Sequence, residues 1–308
     1  MKLQIQIVAA CSLALASLSA QSPYRGFVVR NEVNGSEIRQ IRQDFGGNVI
    51  KWEFFMDDRP RVQAQLNHLR DVVLPECLRH GVGVILDMHQ PAGGVRGTGN
   101  ARRHPCLIDP SHRSYTRWIE DWLAISQIAR GHSAVVGYDL LAEPLATVGE
   151  WRARALDVIG ALRRAGDPTR VIVEMPFGNP EHFDAFGPIT RPRFGSVAYG
   201  FHYYSPHSYT HQARGIYGPQ SRNQALWPAA IDLTLSEAVE FKRRNHVEMF
   251  CLGFSAHANA QNSLAYLSDC IDRFERAGIS WTYHTFTFYP GDQWHMDEYR
   301  EDLLKQRM

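Results

Sequence analysis

The sequence predicts a closed parallel (β/α)8 barrel, the TIM-barrel fold, built as one domain. Three observations carry this: eight short apolar segments rich in Val, Ile, Phe and Tyr, helix-period segments between them, and no break in composition along the chain. With 308 residues, 44% apolar and 21% charged, the composition suits a soluble protein with one large core. Strand–helix alternation over about 285 residues fits a barrel whose usual size is roughly 250 residues. Periodicity leaves a doubly wound open sheet as the alternative, since that fold alternates in the same way.

Taken in order, Met1 to Ala20 reads as a signal peptide. Lys2 is its only charge, an apolar run from Ile5 to Leu18 follows, and Ser17, Ser19 and Ala20 offer a small-residue cleavage site. The run is too short to favour a transmembrane helix. Val8-Ala9-Ala10-Cys11 resembles a lipoprotein box, but apolar residues continue past Cys11, so the expectation is ordinary export, secreted or periplasmic, of a mature domain over 21–308.

The expected strands are "GFVVR" near 26, "NVIKWEFF" near 48, "VGVILDMH" near 82, "AVVGYDLL" near 134, "RVIVEM" near 170, "SVAYGFHYY" near 196, "VEMFCLGF" near 247 and "ISWTYHTF" near 279. Between them, Val62, Leu66, Leu69 and Val73 recur at helical spacing, as do Leu264, Leu267, Ile271 and Phe274, the second set ending at Gly278, a natural C-terminal cap. Trp118 and Trp122, also at helical spacing, are expected in the core.

Cys77, Cys106, Cys251 and Cys270 follow the leader; export permits two disulfides, a core this large permits buried thiols, and the spacing is not that of a zinc site. Basic and acidic residues balance at 33 and 32, with no charge block. Nucleic acid and anionic lipid are therefore not the expected partners; an uncharged one is.

In a barrel, chemistry gathers at the C-terminal ends of the strands. Those ends read "VILDMHQPAGG", "YDLLAEPL", "VAYGFHYYSPHSYTHQ", "LGFSA" and "SWTYHTF". In this order and spacing, over about Tyr24 to Tyr299, they resemble the strand-end motifs of glycoside hydrolase family 5, the cellulase-like retaining β-glycosidases. The resemblance implies a β-linked oligo- or polysaccharide as partner and no cofactor. It places Glu143 at the acid/base position, and His89, His202 and Tyr204 among residues that line the sugar site or hydrogen-bond the catalytic carboxylates.

The departures fall where the chemistry should be. The family's "NEP" is "AEP" here, placing Ala142 at the Asn that contacts a substrate hydroxyl. Lys51 stands for an Arg, a point charge where a planar fork would hold a carboxylate with two hydrogen bonds. "GEF" has become "LGF", so Leu252 replaces Gly and Gly253 replaces the nucleophilic Glu. His284 occupies a position where many members have Trp, and Trp294 lies in an altered loop after the last strand. A retaining glycosidase needs two carboxyl groups roughly 5–5.5 Å apart, one attacking the anomeric carbon and one protonating the leaving oxygen. Glu143 alone fills only the second role, so retaining hydrolysis is expected to be weak or lost.

Stand-ins for the nucleophile are few. Glu248 lies five residues earlier on the same strand, about 17 Å away, and Asp87 sits roughly 7 Å below the mouth. Asp292 is the best candidate partner for a rerouted or inverting reaction, against the simpler reading of a solvated loop carboxylate beside Gly291. A second alternative is a metal site from His89, His202, His257 and His284, although these contain no HxH or HxxxH pair. For a glycan-binding cleft, two or three of Trp52, Tyr203, Tyr209, Tyr217, Trp227 and Trp294 are expected to offer a stacking face.

Overall fold

The computed structural model describes residues 23–190, 192–211, 228–286, 294 and 296–308. Eight parallel strands close into a barrel in sequence order: β1 (Arg25–Val29), β2 (Val49–Phe55), β3 (Gly83–Gln90), β4 (Val135–Asp139), β5 (Val171–Glu174), β6 (Val197–Tyr203), β7 (Met249–Phe254) and β8 (Ser280–Tyr283). Closure comes from β1 pairing β8 in parallel, Gly26 against Thr282. Each expected strand is present, and the open-sheet alternative is excluded because no strand of the barrel is left as an edge.

Helices cover the outside. The run from Val62 to Val73 spans the helix Arg59–His68 and a single wide π-turn, Leu69–Val73, which continues into the helix Leu74–His80. The helix Ser263–Arg276 ends where expected, Gly278 taking a left-handed φ of 61° and donating to the Glu275 carbonyl. Leu264 departs from the expected buried face: it opens the first turn and is exposed, while Leu267, Ile271 and Phe274 are buried. All four cysteines of the described chain are free and buried, so the disulfide option is corrected to core thiols.

Period-two alternation sorts the barrel interior into levels. Val49, Ile85, Val136, Ile172, Ala198, Phe250 and Leu252 form an apolar floor separate from the main core outside the barrel. Two residues further along β2, β3 and β5, the same faces carry Lys51, Asp87 and Glu174, and β4 adds Asp139; all four are fully buried. Two residues beyond these, Glu53 and His89 reach the mouth.

Three buried indoles from the surrounding helices fix the strand ends that carry these acids. Trp118 and Trp122 both donate to the Leu140 carbonyl, at 3.3 and 3.1 Å, and Trp151 donates to the Glu174 carbonyl at 2.7 Å. The indoles thus act as core residues with their polar edge spent on backbone.

Candidate active site

The mouth of the barrel holds a cavity of about 180 Å³. Of the residues singled out from sequence, Glu143, Gly253, Lys51, His89, His202, Tyr204, His284 and Trp294 all line it. Ala142 does not; it lies beneath, 4% exposed, with its N–H bonded to the Met88 carbonyl.

Gly253 faces the cavity because β7 bulges. Phe201 pairs with Cys251 and His202 with Gly253, so Leu252 is an extra residue on β7. The carbonyl this leaves over takes a hydrogen bond from Thr282 Oγ1 at 2.9 Å. Bulges of this kind re-aim a neighbouring side chain. Here a Cβ added to Gly253 would lie 3.4 Å from the Tyr204 hydroxyl, 3.4 Å from His202 Nε2 and 3.2 Å from His202 Cδ2.

Beneath the cavity one cation meets three acids. Lys51 Nζ lies 3.0 Å from Asp87 and 3.8 Å from Asp139, with Glu174 also exerting its charge on it. Burial would strip the proton from Lys51, but these carboxylates outweigh burial and raise its pKa. Burial also pushes the acids up; Asp87, nearest the ammonium, is nevertheless held low, whereas Asp139 and Glu174 stay well above the usual carboxylate range. One ammonium cannot offset three buried negative charges, so the two more distant acids hold protons.

Lys51 also sets the state of Glu143. Its Nζ is 3.2 Å from His202 Nε2, and His202 Nδ1 is 2.8 Å from Glu143 Oε1. An ammonium can only donate, so Nε2 accepts and the ring proton sits on Nδ1, where it donates to Glu143. Burial and the Lys51 charge lower the His202 pKa, keeping the ring neutral. Glu143 is half exposed at the mouth, and the enclosing barrel still pushes its pKa up; the hydrogen bond from His202, followed by the charges of His89 and Lys51, outweighs this and brings it to about 2. A like-charged carboxylate at position 253 would have pushed it upward. Without one, Glu143 is held ionised, the state of a base rather than an acid.

The backbone at Glu143 is itself constrained. Its φ of 43° is left-handed, a conformation that costs a non-glycine residue of order 1–3 kcal/mol. Glu174 Oε1 holds it by accepting from the Glu143 N–H at 3.0 Å. Gly178 closes over both groups: a Cβ there would meet Glu143 Cγ at 2.9 Å and Glu174 Oε1 at 3.1 Å.

Sequence reading missed Glu53, Asp139 and Glu174. The signal was available in the alternation, since Glu53 shares a strand face with Lys51, and Glu174 with the apolar Ile172. Asp87 lies below the cavity, as expected, and Glu248 pairs with Arg170 at 3.0 Å, far from it. Asp292, Tyr217 and Trp227 lie outside the described residues. Trp52, Tyr203 and Tyr209 are corrected to core, each at most 1% exposed: Trp52 and Tyr203 alternate outward toward the helices, and Tyr209, on the short helix His207–Thr210, packs its ring against Tyr266. Of the four described aromatics in that group, Trp294 lines the cavity.

The histidine metal site is not assembled. His202 spends both ring nitrogens on Lys51 and Glu143, and His257 is outside the cavity, its Nδ1 accepting from the Asn259 N–H. Among the described residues, Glu53, Asp87 and His89 bring ligand-type atoms within 4.8 Å of one another. Lys51, 3.0 Å from Asp87, already supplies the cation there.

His89 Nδ1 lies 3.4 Å from Glu53 and 3.5 Å from Asp87. Burial lowers its pKa, but these two carboxylates outweigh burial and lift it from 6.5 to about 9. The folded value exceeds the unfolded one, so the stabilisation is complete below pH 6.5 and is lost as pH rises through 9. Urea midpoints should therefore fall between pH 6.5 and 9, and His89→Gln should flatten that part of the profile. An unchanged slope in the variant would place the titration elsewhere.

The sequence profile of Cellulase (glycosyl hydrolase family 5) matches residues 18–289. The chain belongs to glycosyl hydrolase family 5. No curated protein sequence matches this family-5 chain significantly. It is similar in structure to a hyperthermophilic endo-β-1,4-glucanase solved with substrate, at TM-score 0.73 and 15% identity, over 92% of this chain and 97% of that one. It is also similar to a Pseudomonas stutzeri endoglucanase, at TM-score 0.72 and 18% identity over 92% and 93% of the two chains. A Thermotoga maritima family-5 protein solved with cellobiose gives 0.71 and 14% over 92% and 97%. At these identities the likeness shows a shared fold.

Proposed function

We propose that this family-5 chain is an exported protein that binds β-linked glucan in its barrel mouth and has lost efficient retaining hydrolysis. The observation that carries the reading is Gly253, which the bulge on β7 turns toward His202 and Tyr204 at the mouth. Among the described residues no carboxylate takes the place of a side chain at 253 to attack an anomeric carbon, and Glu143 is held as an anion. Glucan is favoured because the similar structures include an endo-β-1,4-glucanase with substrate and a protein with cellobiose. Export rests on the leader read from sequence.

Titration calorimetry with cellotetraose should show binding, while reducing-sugar release from β-glucan and aryl β-cellobiosides stays at background. Absence of binding to cellotetraose and to the other oligosaccharides of a β-glucan panel would overturn the first half; sustained turnover abolished by Glu143→Gln would overturn the second. Such turnover would favour a rerouted hydrolase. Glu53, which shares the cavity with Glu143, would then be the described carboxylate to test as its base, by Glu53→Gln and by the anomeric configuration of the product.

A further inference from the structure

We propose that His207, His211 and Glu143 hold a divalent transition ion of the zinc class at the rim of the barrel mouth. This goes beyond the glycan reading and does not depend on it. The histidine pair is distinct from His89, His202, His257 and His284, and three observations carry the site.

The first is spacing. "HSYTH" sets His207 and His211 four residues apart, on the helical turn His207–Thr210 and its C-terminal cap. Two histidines at that spacing share one face of a helical turn and present two imidazoles to one zinc ion. Here the rings lie face to face, with centroids 3.8 Å apart. At Zn–N distances of about 2.0–2.1 Å, two nitrogens of a tetrahedral site stand about 3.4 Å apart, so the spacing nearly fits. The rings are close to parallel, at 8°, and His207 must tilt for both lone pairs to meet one ion. His207 is exposed and makes no side-chain hydrogen bond to a described residue, so little opposes the tilt.

The second is a bare nitrogen held in place. Thr210 Oγ1 donates its one proton to the Tyr204 carbonyl at 2.6 Å. It can therefore only accept from His211 Nδ1, 3.0 Å away, which places the ring proton on Nδ1 and leaves Nε2 with its lone pair. That Nε2 has no hydrogen-bond partner among the described residues. An Nδ1–H bonded to a neighbouring oxygen is how metal-binding imidazoles are oriented. The His211 ring also sits edge-on between Tyr204 and Trp294, with centroids 5.2 and 5.1 Å away. The Thr210 carbonyl accepts from the Trp294 indole at 2.9 Å and from the His257 N–H at 2.8 Å, which pins the turn to the loops after β7 and β8.

The third is charge. His207, His211 and Glu143 line a second cavity of about 290 Å³ beside the first. Glu143 anchors Oε1 on His202 and has no described partner on Oε2. Among the described residues no lysine or arginine lines this cavity, in contrast to the cluster of Glu53, Asp87 and His89, where Lys51 supplies the cation. Two imidazoles and a carboxylate, with water in the fourth position, are one of the usual donor sets of zinc.

The test is titration calorimetry with zinc chloride on the native protein, stripped with EDTA and dialysed. One ion per chain should bind. His207→Ala and His211→Ala, both checked for folding by circular dichroism, should each weaken binding at least about tenfold, the lower range for losing even a group that orients a ligand. Should His211→Ala not fold, His207→Ala, on an exposed side chain, decides alone. Glu143→Gln should weaken binding by a similar factor. Native protein that takes up no zinc, or affinity that survives the histidine variants, overturns the proposal. Loss of binding with His89→Gln but with neither histidine variant also overturns it, and places the ion at Glu53 and Asp87 instead. Cellotetraose binding by the stripped protein is read separately, so failure of the zinc site leaves the glycan reading standing.

Discussion

Replacing Lys51 with methionine is expected to destabilise the fold by about 3–5 kcal/mol, the range for removing one partner of a buried ion pair. Lys51 is fully buried and is the cation against which Asp87, Asp139 and Glu174 are set. Its removal leaves Asp87 with only His89, 3.5 Å away, as counter-charge, or forces a proton onto it, and deprives His202 Nε2 of its donor. The contrast is Asp139→Asn. Asp139 already holds a proton, raised by burial and by its neighbour Asp87, and an amide of similar shape should change stability by only about 1 kcal/mol. Urea midpoints at constant m-value measure both. Equal, small effects would mean that the charges below the cavity are not organised by Lys51.

Leu252→Gly should cost at least as much as the 2–5 kcal/mol typical of a buried Leu→Ala, although it restores the residue expected of the family. Leu252 is fully buried in the floor of the barrel. Its Cδ1 occupies the space above Gly200, only 2.3 Å from where a Cβ on that glycine would be. Leucine at 252 and glycine at 200 are therefore complementary, and removing the leucine opens a cavity that backbone on both strands cannot easily close. The extra backbone freedom of glycine at a bulge adds to the loss. Thermal unfolding of the single variant checks this; an unshifted midpoint would show that the floor repacks around the gap. Set against the family's "GEF", the motif "LGF" points to Leu252→Gly as part of any repair of the nucleophile strand. Its packing role removes it from that set.

The barrel was legible because parallel strands are buried on both faces and read as apolar runs. The order of strand ends then located the mouth, and eight of the nine residues singled out there do meet around one cavity. What sequence could not give was depth. Asp139 and Glu174 look like ordinary strand-end acids in "YDLL" and "IVEM", and only the stagger of the closed barrel sets them against Lys51. The bulge at Leu252 was also hidden, since strict alternation would put Leu252 and Gly253 on opposite faces. For the same reason Trp52 and Tyr203, flanked by cavity residues in sequence, belong to the outer core.

The central claim is that position 253 is the nucleophile's place without the nucleophile. A Glu introduced there needs His202 to yield by a few tenths of an ångström, and Ala142→Asn restores the Asn of the family's "NEP", whose amide must reach the mouth from a position beneath it. Because such residues act as a unit, the pair is expected to gain far more than either alone. The most direct measurement is intact and peptide mass spectrometry after incubation with a 2-deoxy-2-fluoro cellobioside bearing an activated leaving group. The account predicts no label on the native protein and one fluoro-cellobiosyl adduct on Gly253→Glu/Ala142→Asn, located at residue 253. A label on the native chain, or a folded, cellotetraose-binding double variant that labels elsewhere or not at all, would contradict it.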